Sequence, residues 1–447
     1  MKKFLVVLVL VAMTCMSSMA FAADIAVSGS TEIRLRSLIN TDLNDAKITN
    51  DNRNFTQERV RLNIDAKAGD TLSGRISMEN DWDTWGRFET AQGNSQVTSA
   101  GTKTAAGPSI NLREAWVGFK VPGAPVGIKG GHMLLQLGNA WFFRAMKYGS
   151  DAWVMYTDID KLHLGVVNIK VAENNIWAAD DTDAYAFVAT YKLGDKSTAG
   201  INYTTVNDRT GKFMQSAYGT AGNTSVFAGA AALFTNANLQ NLEAHFAGPV
   251  GPVNLSAEID MQSGDATAGG GKHKFKGNQI VLQANMPIDA LTINATLARG
   301  SGTKVSDYGK DVTEYVALMD ADPHYTLMYE YLVKTAARQS FKNINTGFAN
   351  TTAISLGGAY KVSKNLMVGA DVWYLQSTEK VNFGVAGVAD SSDLGTEIDA
   401  KVNWKLYENL TWNTTLGWFM PGDAYKTSAT TDAVNGHAIQ SVLSFNF

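Results

Sequence analysis

The feature that most constrains this chain is an unbroken alternation of side chains between residues 394 and 406. Leu394, Thr396, Ile398, Ala400, Val402, Trp404 and Leu406 fall on one face, and Gly395, Glu397, Asp399, Lys401, Asn403 and Lys405 on the other. A repeat of two belongs to the β-strand, whose successive side chains point to opposite faces. The pattern recurs elsewhere. Val60, Leu62, Ile64 and Ala66 alternate with Arg59, Arg61, Asn63 and Asp65, and Leu366, Val368, Ala370, Val372 and Tyr374 with smaller or polar residues. Ile280, Leu282, Ala284 and Met286 do the same, with Val281 interrupting the polar side. In a bilayer, such strands turn the apolar face to lipid and the polar face to a wet lumen.

The connections between these strands are of two kinds. Very short turns occur at Gly69-Asp70, Ile159-Asp160, Gly194-Asp195-Lys196, Pro287-Ile288-Asp289, Ser363-Lys364-Asn365 and Tyr407-Glu408-Asn409. Between them lie long polar stretches at 39–55, 84–109, 208–238, 301–350 and 421–435. A soluble sandwich has no reason to lengthen every second connection, whereas a transmembrane antiparallel β-barrel has short turns on the periplasmic side and long loops outside. Counting on that rule gives about eighteen strands, sixteen being possible. They start near residues 25, 56, 72, 110, 125, 150, 161, 183, 197, 239, 253, 276, 290, 351, 366, 394, 410 and 436. An even count leaves both termini periplasmic. Parity therefore assigns residues 222–236, and the strand-like or helical Tyr325–Val333, to loops.

Composition supports one large closed sheet. The 41 glycines, 10 tryptophans, 15 tyrosines and 19 phenylalanines stand beside only 8 prolines, and no linker divides the chain into domains. The start reads as an export signal. Lys2 and Lys3 precede an apolar run from Phe4 to Met13, and Ala20-Phe21-Ala22 supplies the small-x-small cleavage pattern. Residues 1–22 are thus expected to be removed, leaving 23–447 as a single domain. Cys15, a poor candidate for lipidation after Thr14, leaves with them, so the mature chain has no thiol for a disulfide, a metal site or a haem attachment. The formal charge of −4 becomes two units more negative when Lys2 and Lys3 go, which argues against nucleic acid as a partner.

The chain ends on Ile439, Ser441, Leu443, Phe445 and Phe447, again alternating. This resembles the C-terminal signal by which barrel-insertion machinery recognises outer-membrane proteins. Leu112-Arg113-Glu114-Ala115-Trp116-Val117-Gly118-Phe119-Lys120, followed by Gly127-Ile128-Lys129-Gly130-Gly131, is similar to the REA-aromatic-VG hairpin of porins. A glycine-arginine pair closes that hairpin in general porins, where this sequence has Gly131-His132. The mature chain as a whole resembles Gram-negative outer-membrane porins of sixteen to eighteen strands, in particular alginate-export-like barrels and the major porins of metal-respiring anaerobes. The resemblance implies an outer-membrane location among lipid, insertion through Phe447, a homotrimer, and passive diffusion of small hydrophilic solutes or ions.

A pore acts through its radius and the charge of its lining. Porins of this class narrow the lumen with an inward-folded loop, and Met133–Ser150 stands where that loop belongs, with Arg144 and Lys147 as its charges; an external loop packed on the rim is the alternative. Eight of the twelve arginines lie before residue 114. Arg34 and Arg36 share a face, as do Arg59 and Arg61; with Arg75 they form a basic ladder that favours anions or opposes Glu79, Asp81 and Glu114. The plainer reading is that these arginines pair with Glu32, Glu58, Asp65 and Glu79 to satisfy a polar interior, since lone buried ions are costly. Trp82, Trp85, Phe88, Trp141, Phe142 and Phe143 fit a sugar slide, although aromatic rings at strand ends more commonly anchor at the interface. Two other functions stay open: a substrate-specific exporter or uptake channel for acidic or sugar substrates, and a structural barrel around an electron-transfer cytochrome.

No enzyme is expected, since no serine motif nominates a catalytic partner for a histidine. No cofactor is expected either. The six histidines, at 132, 163, 245, 273, 324 and 437, lack metal-site spacing. Asp320 with Asp322 and Asp390 with Asp393 could hold Ca²⁺, but such pairs more often solvate loops.

Overall fold

The computed structural model describes residues 23–43, 52–85, 110–173, 176–211, 234–268, 271–307, 310–319, 325–333, 347–381, 387–426 and 428–447. The expected signal segment 1–22, residues 222–233 of the stretch 222–236, Arg87, Phe88, Asp320 and Asp322 lie outside these residues, while residues 234–236, assigned above to a loop, form the start of a strand that pairs onward from Phe234.

Twenty strands follow in chain order: β1 (Asp24–Ile39), β2 (Asn52–Ala68), β3 (Leu72–Thr84), β4 (Asn111–Lys120), β5 (Val126–Gln136), β6 (Phe143–Ile159), β7 (Leu162–Ala172), β8 (Thr182–Gly194), β9 (Ser197–Asp208), β10 (Phe234–Val250), β11 (Val253–Ala268), β12 (Gly271–Lys274), β13 (Asn278–Ile288), β14 (Leu291–Gly300), β15 (Leu318–Met319), β16 (Thr351–Lys361), β17 (Leu366–Val381), β18 (Ser391–Tyr407), β19 (Leu410–Pro421) and β20 (Gly436–Asn446). Eighteen of them pair antiparallel with their neighbours around a closed wall, and β1 with β20 completes the circuit. The other two are accessory: β12 folds back on β11, and β15 runs parallel to the start of β6. Among the described residues no helix is long and apolar enough to cross a membrane, which for a barrel is no objection.

Closure matters because hydrocarbon offers no partner to an open edge; every backbone N–H and C=O must find one within the sheet. The last bonds are made by the chain end. Gly29 and Phe447 exchange N–H···O=C bonds of 2.9 and 3.0 Å. A side chain at Gly29 would overlap the Arg61 carbonyl and press on the Phe447 ring, so the seam needs a glycine where it does.

Alternation sets the two faces as the sequence predicts. Ile25, Val27, Leu35, Val60, Ile76, Leu356, Val372 and Trp404 are exposed on the outside, while Arg34, Ser77, Glu79, Glu114, Glu258 and Glu397 are buried. Leu394 is an exception. A register break near Gly395, whose φ is +115°, interrupts the alternation, and Leu394 is buried rather than turned outward. Short turns keep their chemistry: Gly69, Asp160 and Asp289 all adopt positive φ.

Strand starts fall within a few residues of expectation except at β2, β6 and β10, which begin earlier. In β2 the extra residues are Asn52, Arg53, Asn54 and Phe55, paired with Ile39, Leu38, Ser37 and Arg36. Backbone pairing continues there without an apolar face to announce it. The same effect corrects the expected constriction loop. Of residues 133–150, only 137–142 form a connection; the rest are the end of β5 and the start of β6.

The lumen is packed with the chain's own segments. The connection 137–142, the stretch 312–319, a one-turn π-helix at Leu327–Leu332 and residues 347–350 bury Trp141, Phe142, Tyr315, Met328, Tyr329 and Phe348. Trp141 and Phe348 stack at 4.8 Å, and Tyr325 bridges Phe348 at 4.4 Å to Trp373 of the wall at 5.2 Å. Tyr325–Val333 therefore belongs to the long loop, as parity requires, and is helical.

Leu356 is central in β16 and strongly exposed. Leu356→Arg is expected to lower the stability of the lipid-embedded barrel by about 2–4 kcal/mol, the cost of a basic side chain in mid-bilayer. Urea unfolding from vesicles measures this; a loss well under about 1 kcal/mol would place Leu356 away from hydrocarbon.

Candidate functional site

The arc of wall from β1 to β4 carries the basic residues. Because side chains two apart share a face, Arg34 and Arg36 of β1, Arg59 and Arg61 of β2 and Arg75 of β3 all point inward. A register break opposite Ser77 and Met78 adds Arg113 beside Glu114. Most of these guanidinium groups are paired. Arg59 meets Glu32 at 2.5 Å, Arg61 meets Glu79 at 2.6 Å, and Arg75 meets Asp65 at 2.7 Å and Glu114 at 3.4 Å. Arg113 lies 3.6 Å from Glu79. Glu58, expected among the partners, instead accepts the Trp85 indole N–H at 3.1 Å.

Arg34 and Arg36 differ. Among the described residues neither has a carboxylate partner. Arg34 donates to Gln57 Oε1 at 2.6 Å and lies over the Trp82 ring at 3.6 Å; Arg36 donates to Gln440 Oε1 at 2.7 Å. Both donate to the hydroxyl of Tyr331, which the π-helix carries across to this wall. Burial alone would raise the Tyr331 hydroxyl, but Arg36 and Arg34 outweigh it and draw its pKa below the ordinary tyrosine value.

The remaining predicted residues are more dispersed. Lys147 of β6 reaches Asp81 at 3.3 Å, so these two join the basic arc. Arg144 lies half-buried where β15 pairs with β6. Trp82 is neither an interface anchor nor a free stacking surface: Arg34 and Arg59 lie over its ring at 3.6 and 4.3 Å. Trp141, Phe142 and Phe143 are buried in the luminal packing, which leaves no exposed slide of rings there.

The inserted segments are held by carboxylates that sequence reading did not single out. The Glu397 carboxylate accepts the Met328 and Tyr329 N–H groups at 2.6 and 2.7 Å, and Asp399 accepts Leu327 N–H at 3.3 Å. On the opposite wall, Glu258 accepts Asn139 N–H at 2.6 Å and Trp141 N–H at 3.1 Å. Gln262 brackets Val316, donating to its carbonyl at 2.6 Å and accepting its N–H at 3.0 Å. Glu397 and Asp399 lie within the longest alternating run, so their inward orientation was readable; their partners, some seventy residues upstream, were not.

Wall position gives the electrostatics. The basic arc occupies β1 to β4, whereas buried Glu243, Glu258 and Asp260 occupy β10 and β11, about half the circumference away. The two facing walls thus carry different chemistry, guanidinium groups on one and carboxyl groups on the other.

No family model matches the chain, and no curated relative does. Solved structures do match over nearly the whole length. A BenF-like porin from Pseudomonas fluorescens Pf-5 is 10% identical, with 96% of this chain and 100% of that one covered and a TM-score of 0.55. The outer membrane protein OpdK from Pseudomonas aeruginosa is 9% identical at a TM-score of 0.56, covering 95% of this chain and 98% of its own. OccAB2 from Acinetobacter baumannii gives the same identity, coverage and TM-score. The fold is that of these outer-membrane porins. OpdK is also represented by a structure with vanillate.

Glu397→Ala removes the acceptor of two N–H groups, each such bond to a charged group being worth about 1.5–3 kcal/mol. The π-helix segment should then exchange amide hydrogen faster and single-channel records should become noisier. Unchanged exchange at 327–332 would show that Glu397 is not the anchor. Glu314, in the inserted stretch, is lifted by burial from 4.5 to about 8. The folded state thus holds its proton more tightly than the unfolded one. Its stabilising effect is complete below 4.5 and is lost as pH rises towards about 8. Thermal unfolding in detergent should show this decline, and Glu314→Gln should flatten it.

Proposed function

We propose that this chain is an outer-membrane porin that passes small hydrophilic solutes by passive diffusion and favours anions. The observation that carries this reading is the Arg34–Arg36 pair. The pairing of Arg59, Arg61 and Arg75 with Glu32, Glu79 and Asp65 satisfies those guanidinium groups locally. Arg34 and Arg36 instead rest on neutral partners and keep their charge for whatever passes between the walls. Forked guanidinium donors suit carboxylates, and the vanillate held by OpdK is a small aromatic carboxylate. A barrel exterior of exposed aliphatic and aromatic residues supports an outer-membrane location. The same reading takes removal of residues 1–22, insertion guided by Phe447, and assembly of three copies as parts of the proposal. A sugar slide is disfavoured by burial of Trp141 and Phe142, and a cytochrome sheath by a lumen already occupied by the chain's own segments.

Reversal potentials of single channels in a salt gradient test this. Anion preference is expected for the wild type, and Arg34→Gln with Arg36→Gln should abolish most of it; cation preference in the wild type would defeat the proposal. Alkaline pH supplies a second check. Ionised Tyr331 places a negative charge beside both arginines, so anion preference should fall as pH rises towards the depressed tyrosine pKa. Tyr331→Phe should remove that step.

A further inference from the structure

Glu243 of β10 and Glu258 and Asp260 of β11 converge inside the barrel, with one carboxylate oxygen from each lying within 4.8 Å of the others. All three are buried, at 0%, 1% and 0% exposure. Among the described residues no lysine or arginine pairs with any of them; His245 Nδ1 lies 3.0 Å from Glu243 Oε1. Their other partners are neutral donors. Asn202 donates to Glu243 at 2.8 Å, Asn241 to Asp260 at 2.8 Å and Gln279 to Asp260 at 3.3 Å. Such donors orient carboxylates without cancelling their mutual repulsion.

A separate observation comes from the inserted loop. Tyr315, at 0% exposure, turns its hydroxyl towards all three carboxylates, nearest Asp260, without forming a well-aligned hydrogen bond to any described residue. Glu243 Oε2 and the side-chain carbonyl oxygens of Asn202, Asn241 and Gln279 are likewise without one. Buried acceptors are ordinarily satisfied by a donor, a water or an ion, and a group of oxygens left over beside three carboxylates favours an ion.

We propose that this cluster binds one Ca²⁺ ion, which fastens the connection 137–142 and the Tyr315 stretch to the β10–β11 wall. All the donors are hard oxygens, the set that Ca²⁺ prefers, whereas zinc favours nitrogen and sulfur. Oxygens on opposite sides of a Ca²⁺ ion stand about 4.6–5.2 Å apart, so three carboxylate oxygens all within 4.8 Å of one another are close enough to share an ion. Mg²⁺ demands shorter bonds and keeps several waters. Gly138 of the connection lies directly against Glu243 and Glu258, and a Cβ there would overlap Glu243 Oε1 outright.

The test uses the folded full chain in detergent, stripped with a chelator. Equilibrium dialysis with ⁴⁵Ca²⁺ should show saturable uptake of one ion per chain. Tb³⁺ in the same site should luminesce on excitation of Tyr315 and Trp141, and Ca²⁺ should quench this emission where excess Mg²⁺ does not. Glu243→Gln and Glu258→Gln should each weaken binding at least about tenfold. Asp195→Asn, on the turn between β8 and β9, should leave it unchanged. Absence of saturable uptake by the folded wild type would mean that protons meet these charges and would overturn the proposal. So would binding that survives both glutamine substitutions together. Should the glutamine variants fail to fold, the wild-type stoichiometry decides alone.

Discussion

The structure depends on one constraint: inside hydrocarbon, a backbone N–H or C=O without a partner costs several kcal/mol. An eighteen-membered antiparallel wall meets that demand only when its first and last strands join. The pairing of β1 with β20 therefore governs more than the seam. It fixes the diameter, forces the inward and outward alternation all the way round, and puts the chain end at a position where only a glycine, Gly29, leaves room for Phe447. The charged interior follows from the same closure, because every residue opposite a lipid-facing one is delivered to the lumen whatever its chemistry.

The lumen then presents a second problem of satisfaction, and the chain solves it with its own loops. Backbone N–H groups of inserted segments are met by wall carboxylates: Glu258 holds 139 and 141, and Glu397 holds 328 and 329. A carboxylate is a strong acceptor of such groups, and each bond it accepts ties a loop amide to the wall. Apolar side chains complete the attachment, with Phe142, Met328, Tyr329 and Phe348 forming a core inside what the strand pattern alone presents as a polar tube. The result is a barrel whose two walls differ in charge and are bridged by protein, with Tyr331 as the contact between the inserted segment and the basic arc.

Legibility in the sequence followed the range of the interaction. Strand positions and short turns were readable because alternation and turn chemistry are local; Gly69, Asp160 and Asp289 occupy the positive-φ positions their residue types favour. The pairing of Arg61 with Glu79 and of Arg75 with Asp65 was readable one hairpin away. The early starts of β2 and β6 were not, because strand arms beyond the apolar belt lose the alternation while keeping their backbone bonds. Leu394 was misplaced for a related reason: a single extra residue near Gly395 reverses the faces, and nothing in the neighbouring pattern marks it.

By itself, then, the sequence determined a closed transmembrane sheet of sixteen to eighteen strands, the side of it that meets lipid, and a concentration of arginine on the first four strands. These are consequences of period-two patterning and of the need to pair every backbone group. Only the tertiary structure decided which charges remain uncompensated, which loop segments fill the lumen, and that Glu243, Glu258 and Asp260 share one buried space with Tyr315. Those contacts join wall strands to inserted segments tens to hundreds of positions away in the chain, and no local repeat records where a loop comes to rest inside a barrel.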